Sequence, residues 1–121
     1  MVIVLGISLL VILAFVSITA VSIRNAEFSK RRAQAAKYSE EGMEKIRIYR
    51  DQHTWGDFTT NCSNMVTLNI PVIPAPGFTR AVTCGDPSDP VGRKTIKVTV
   101  GWSDPKGNHQ SDVISYFTEW Q

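Results

Sequence analysis

Hydrophobic and polar positions follow three successive patterns along the chain. From Met1 to Ile23 the sequence reads MVIVLGISLLVILAFVSITAVSI, interrupted only by Gly6, Ser8, Ser17, Thr19 and Ser22 and without a single charge. An uncharged run of this length predicts a membrane-spanning helix, because about 20 residues at ~1.5 Å rise cross a ~30 Å hydrocarbon core. A cleaved secretory signal would place Lys or Arg ahead of a shorter apolar core of about 7–15 residues, and here no cation precedes a longer one. From Arg24 to Gln52 the pattern changes to helical periodicity. Phe28, Ala35/Ala36, Met43, Ile46 and Tyr49 mark one stripe, and Lys30, Arg31, Lys37, Glu40, Glu41 and Glu44 fall mainly off it. No proline interrupts this stretch, and nothing breaks the chain between Ile23 and Arg24. One continuous helix is therefore expected over about residues 2–52, roughly 75 Å long and far longer than one bilayer needs.

The third pattern alternates. His53 to Asp57 is expected to end the helix, with Gly56 as the stop. Val66, Leu68 and Ile70 alternate with Thr67 and Asn69 as a strand would, and Pro71, Pro74 and Pro76 then impose an extended connection. Phe78–Cys84 reads as a short strand. Ile96, Val98, Val100 and Trp102 alternating with Thr95, Lys97, Thr99 and Gly101 predict a strand with one buried face. Asp104-Pro105-Lys106-Gly107 fits a type I turn, and Val113 to Trp120 returns as the antiparallel partner. Three to four strands with an apolar face need a cover, and the amphipathic helix supplies one. The predicted architecture is α+β: a long N-terminal helix packed on a small antiparallel sheet, with residues 1–23 as an apolar span, 24–53 as its amphipathic continuation and 54–121 as a β head.

Composition hides this division. The 121 residues carry 13 Lys+Arg and 11 Asp+Glu, and the mean hydropathy is −0.06, values typical of a soluble domain. Yet residues 24–53 hold 8 positive and 5 negative side chains, and residues 54–121 hold 5 and 6. So small and local an excess argues against a nucleic-acid-binding role driven by basicity, although it does not address DNA uptake. Arg24, Lys30, Arg31 and Arg32 follow the span, where the positive-inside rule would place them in the cytoplasm. Lys30-Arg31-Arg32 is read as a solvated helix face rather than a lipid or nucleic-acid contact.

The candidate chemistry is sparse. Cys62 and Cys84 leave two readings open: free thiols in a cytoplasmic domain, or a disulfide if the head crosses the membrane, contributing about 3 kcal/mol by the loop-entropy model. His53 and His109 are expected as solvated surface residues. Asp86, Asp89 and Asp104, beside prolines and glycines, read as turn formers rather than calcium ligands. Trp55, Phe58 and Trp120 are expected to cap the small core. With no nucleophile–base, phosphate-loop or metal spacing, neither an enzyme nor a bound cofactor is expected.

Ser22 to Glu27, then Arg32-Ala33-Gln34-Ala35-Ala36-Lys37-Tyr38-Ser39-Glu40-Glu41-Gly42-Met43-Glu44, resembles the helix of minor-pilin-like members of the type IV pilin and pseudopilin family. Lys97 to Asp104, followed by Ser111 to Trp120, is similar to the hairpin closing many such proteins. The resemblance implies a structural subunit of a type IV pilus or type II secretion-like filament, held in the inner membrane before assembly with an extracytoplasmic head. Its implied partners are other pilin or pseudopilin subunits, the inner-membrane assembly machinery and the lipid bilayer. The small residues Gly6, Ala14, Ser17 and Ala20 lie broadly along one side and would allow close helix approach. Gly6, Ala14, Ser17, Phe28, Met43 and Ile46 are the expected packing positions. The family's processing site, a glycine followed shortly by a glutamate, is not met: Ile7 follows Gly6, and the first acidic residue is Glu27. A chain that starts at an internal methionine is the expected explanation. A membrane-anchored extracytoplasmic binding or sensor module is the competing reading.

Overall fold

An unbroken α-helix, α1, runs from Val2 to Gln52. The computed structural model describes residues 1–120, so Gln121, the last residue of the expected 54–121 head, lies outside the described residues. The chain divides into two compact units, Met1–Arg31 and a second beginning at Arg32.

In the first unit, every residue from Met1 to Glu27 is exposed and Phe28 is half-buried. Three hydroxyls in this stretch turn back onto their own helix. Ser8 Oγ donates to the Val4 carbonyl at 2.8 Å, Ser17 Oγ to Leu13 at 3.1 Å and Thr19 Oγ1 to Phe15 at 2.8 Å. These three hydroxyls are thereby satisfied without water, the condition a bilayer sets.

In the second unit, the rest of α1 covers a three-stranded antiparallel sheet of order β1-β2-β3, where β1 is Phe78–Cys84, β2 Arg93–Asp104 and β3 Gly107–Thr118. Helix burial falls on Ala35, Ser39, Gly42, Met43 and Ile46, steps of four, three, one and three that trace one face of a 3.6-residue helix. The sheet answers with Ile96, Val98, Val100 and Trp102, all buried on alternate positions of β2. Pairing sets Val82, Val98 and Val113 side by side across the three strands, next to a row of Cys84, Ile96 and Ser115. Helix and sheet pack closely at Gly42, where a Cβ would stand 3.1 Å from Val98 Cγ1 and 3.3 Å from Arg80 Cδ.

Three sequence expectations change here. Gly56 does not stop the long helix. α1 ends at Gln52, where the His53 ring stacks on Tyr49 with centroids 3.9 Å apart and Nδ1 lies 2.9 Å from the Tyr49 carbonyl, one of the groups a helix end leaves unpaired. Gly56 instead sits inside a second short helix, α2, Trp55–Asn61. Its N-cap is Thr54, whose Oγ1 accepts from the Asp57 amide at 3.3 Å and donates to the Asp57 carboxylate at 2.9 Å. This Thr-x-x-Asp capping pattern was readable in the sequence.

The Val66–Ile70 alternation is not a strand. Asn64 Oδ1 accepts from the amides of Val66 (3.1 Å) and Thr67 (3.3 Å), and Asn69 takes a positive φ of 51°. These asparagines wind the segment into turns, leaving Leu68 buried and Val66 exposed. β3, finally, starts at Gly107 rather than Val113, so the hairpin closes over Pro105 and Lys106 alone. The Asp104 carboxylate holds that connection by accepting from the Lys106 amide at 2.7 Å.

The core gathers Met43, Ile46, Phe58, Cys62, Leu68, Ile96, Val98 and Phe117. Phe58 packs against Phe117 with ring centroids 5.3 Å apart. A disulfide joins Cys62, just after α2, to Cys84, the last residue of β1, across 5.7 Å between Cα atoms.

Candidate assembly surface

The positions read as packing residues separate between the two units. Gly6, Ala14 and Ser17 lie fully on the exposed half of α1, and Phe28 is half-buried near its end. Met43 and Ile46 do not belong with them. They are 1% and 0% exposed within the head's own core, because the stripe they form is the one that covers the sheet. The exposed surface is therefore the uncharged stretch Val2–Ile23, which carries Leu5, Leu9, Leu10, Leu13, Phe15 and Val16 outward. This helix is long and apolar enough to cross a membrane. A single-pass anchor is its coarse chemical capability, since a bare surface of this size in water would drive association.

The head shows what its charges do. Arg80 is nearly enclosed, its side chain 4% exposed; Nη1 donates to the Pro71 carbonyl at 2.9 Å, and Nη2 lies 3.8 Å from Glu41 of α1. Burial pushes the guanidinium below its ordinary value, while Glu41 and Tyr38 oppose the shift. Arg80 thus ties β1, α1 and the proline segment together. Arg50, in the last turn of α1, donates from Nη2 to the carbonyls of Thr118 (3.1 Å) and Glu119 (3.3 Å) and lies over the Trp55 ring. The helix end is pinned to the end of β3.

The aspartates weighed as calcium ligands serve their own loops. Asp86 accepts from both the amide and the hydroxyl of Ser88. Asp89 accepts from the hydroxyl and amide of Thr95 and the amide of Asp86. Those bonds, Thr95 foremost, hold the Asp89 carboxyl down at about 2. Asp104 faces His109 Nε2 at 3.0 Å, and that contact, above all others, lowers its pKa. Among the described residues no three His, Cys, Asp or Glu side chains gather as a metal ligand set.

His109 departs from its expected solvated state: its ring stacks on Trp102 with centroids 5.4 Å apart, and its side chain is 25% exposed. Its pairing position opposite Trp102 was the available signal. Of the three aromatics, Phe58 and Trp55 pack on the core, but Trp120 is 84% exposed.

The outer face of the sheet is mixed, with the Lys97–Asp112 ion pair beside the exposed Ile114 and Tyr116. Thr79, Ala81, Thr99, Gly101, Asn108 and Gln110 border a shallow depression of about 360 Å³, which Arg80, Trp102 and His109 also line. No protein family, no curated protein and no solved structure matches this chain.

Proposed function

We propose that this protein is a membrane-anchored structural subunit of a filament, of the minor-pilin or pseudopilin kind, serving a type IV pilus or a type II secretion-like fibre. The observation that carries this reading is the uncharged, wholly exposed half of α1, continuous with a half that serves as structural cover for a small head. A fibre core built from such helices is about as apolar as lipid, so one surface serves both the waiting and the assembled state. The small positions Gly6, Ala14 and Ser17 allow close approach between neighbouring helices. The disulfide supports a head held in an oxidising compartment of the cell envelope. In this reading the partners are other subunits, the assembly machinery and the bilayer.

Membrane fractionation combined with shearing and pelleting of surface fibres tests the reading. The expected result is carbonate-resistant membrane material, a second pool in the fibre pellet, and Cys62 and Cys84 protected from alkylation until reduction. Both thiols alkylatable in unreduced cells would overturn it. Stable anchoring with no material in any fibre would favour the single-pass binding module instead.

A further inference from the structure

The two edges of the sheet are built differently. In the order β1-β2-β3, each outer strand has one side unpaired among the described residues. β1 is seven residues long, begins just after Pro71, Pro74 and Pro76, and carries Arg80 with its side chain buried. Shortness, proline and an inward-pointing charge are devices that keep an edge from pairing. β3 has none of them. It runs twelve residues, pairs with β2 one for one without a bulge, and contains no proline, lysine or arginine.

The register fixes which of its backbone groups are free. The Glu119 amide donates to the Gly92 carbonyl at 2.8 Å, in line with the β2–β3 register, and bonded pairs alternate along an antiparallel ladder. Odd-numbered residues of β3 therefore bond β2, and Gln110, Asp112, Ile114 and Tyr116 turn N–H and C=O away from it. Thr118, next in this series, accepts from Arg50 Nη2 through its carbonyl at 3.1 Å, as an outward group can. The side chains of Gln110, Asp112, Ile114 and Tyr116 are all exposed.

We propose that β3 is a docking edge, which takes an extended, basic segment of a partner protein as a fourth strand. Main-chain bonds to Gln110–Tyr116 supply the affinity. A strand roughly 4.8 Å away sets its outer side chains beside Ile114 and Tyr116, which favour β-branched or aromatic neighbours. Its inner side chains pass Val113 toward a groove of about 590 Å³ that Val113 lines with Lys37, Glu40, Glu41, Glu44 and Arg47. Three carboxylates against two cations in that groove, and Asp112 as the one carboxylate of β3, set the sign of the partner. A strand built for water alone would carry the devices seen at β1.

The test uses the full chain in detergent micelles and a synthetic peptide of the β2 sequence, Lys94–Gly101. That sequence already pairs with β3 on its bonded side, where Lys97 reaches Asp112 at 3.0 Å. Amide hydrogen exchange is followed by NMR. At peptide about tenfold above half-saturation, exchange at Asp112, Ile114 and Tyr116 should slow about tenfold, while Val82, an outward amide of β1, stays unchanged. Ile114→Pro removes only an outward N–H, a place where an edge strand accepts proline. It should abolish the slowing at Asp112 and Tyr116 and leave Val113 and Ser115 protected. Ile114→Lys, which asks nothing of the backbone, should weaken it by repelling the basic peptide. No slowing at these three amides, equal slowing at Val82, or slowing that survives both variants would overturn the proposal. Protection of the same amides without peptide, rising with chain concentration, would give the edge to a second copy and overturn the basic partner.

Discussion

Ile12 and Ile46 are the same residue in the same helix, yet the first is 58% exposed and the second fully buried. Ile12 belongs to a unit whose residues up to Glu27 are all exposed, whereas Ile46 lies beneath a sheet that offers Ile96 and Val98 in return. Apolar content alone did not decide burial; a partner surface of matching period did. The first unit leaves its apolar surface exposed, and the second buries its own against the sheet.

Paired substitutions break this comparison most sharply. Ile46→Ala should destabilise the head by about 3 kcal/mol, within the roughly 2–5 kcal/mol seen for large-to-small core changes. Ile12→Ala should leave the head's urea midpoint unmoved. Equal effects at both positions would mean that the first unit is buried against the head. Opening the disulfide with Cys62→Ser comes next, with an expected loss of about 3 kcal/mol in chemical denaturation followed by tryptophan fluorescence. The helicity of the apolar half in detergent should stay unchanged.

Gly42→Ala is a finer probe. Alanine improves helix propensity by about 1 kcal/mol, but its methyl meets Val98 and Arg80 at 3.1 and 3.3 Å, and overpacking costs roughly 1–3 kcal/mol. A net loss of about 1 kcal/mol is expected, read as a lower thermal midpoint, and a gain would show that helix and sheet separate easily. Thr54→Ala should cost about 1 kcal/mol or less through loss of the α2 cap.

The smallest effect is one of pH. The Asp89 carboxyl is held at about 2 in the folded head, against roughly 3.9 in an unfolded chain. Its contribution is therefore fully present above about pH 4 and lost as pH falls through 2. Asp89→Asn should flatten the acid limb of the thermal midpoint measured between those values.

Much of this organisation was legible in the residues. The proline-free run through Ile23-Arg24 and the strict alternation from Ile96 to Trp102 each admit one element type, and both formed. Val66–Ile70 failed because two asparagines, at 64 and 69, offer the backbone turn bonds that compete with a ladder. Gly56 misled because a glycine after a helix is a common stop, while the stronger signal was the cap formed by Thr54 and Asp57. Ser39 and Gly42 escaped notice on the buried stripe since neither is hydrophobic. One is satisfied by the Ala36 carbonyl at 2.8 Å, and the other is needed for its lack of a side chain. For the candidate surface the limit was of another kind. Periodicity showed that Met43 and Ile46 face something apolar, but it carries no information on whether that partner is another subunit or the chain's own sheet.

The placement of the disulfide has a mechanical side. Tension entering the head along α1 leaves the helix at Gln52, crosses His53 and Thr54, and runs down α2 to Cys62. There the sulfur bridge passes it directly to Cys84 at the end of β1. The turns around Asn64 and Asn69 and the proline connection after them lie inside the closed loop and carry no load. A head pulled by its helix would thus yield only as far as the sheet itself yields, and reduction would lengthen it abruptly by the slack of residues 63–77, the part of the loop outside β1.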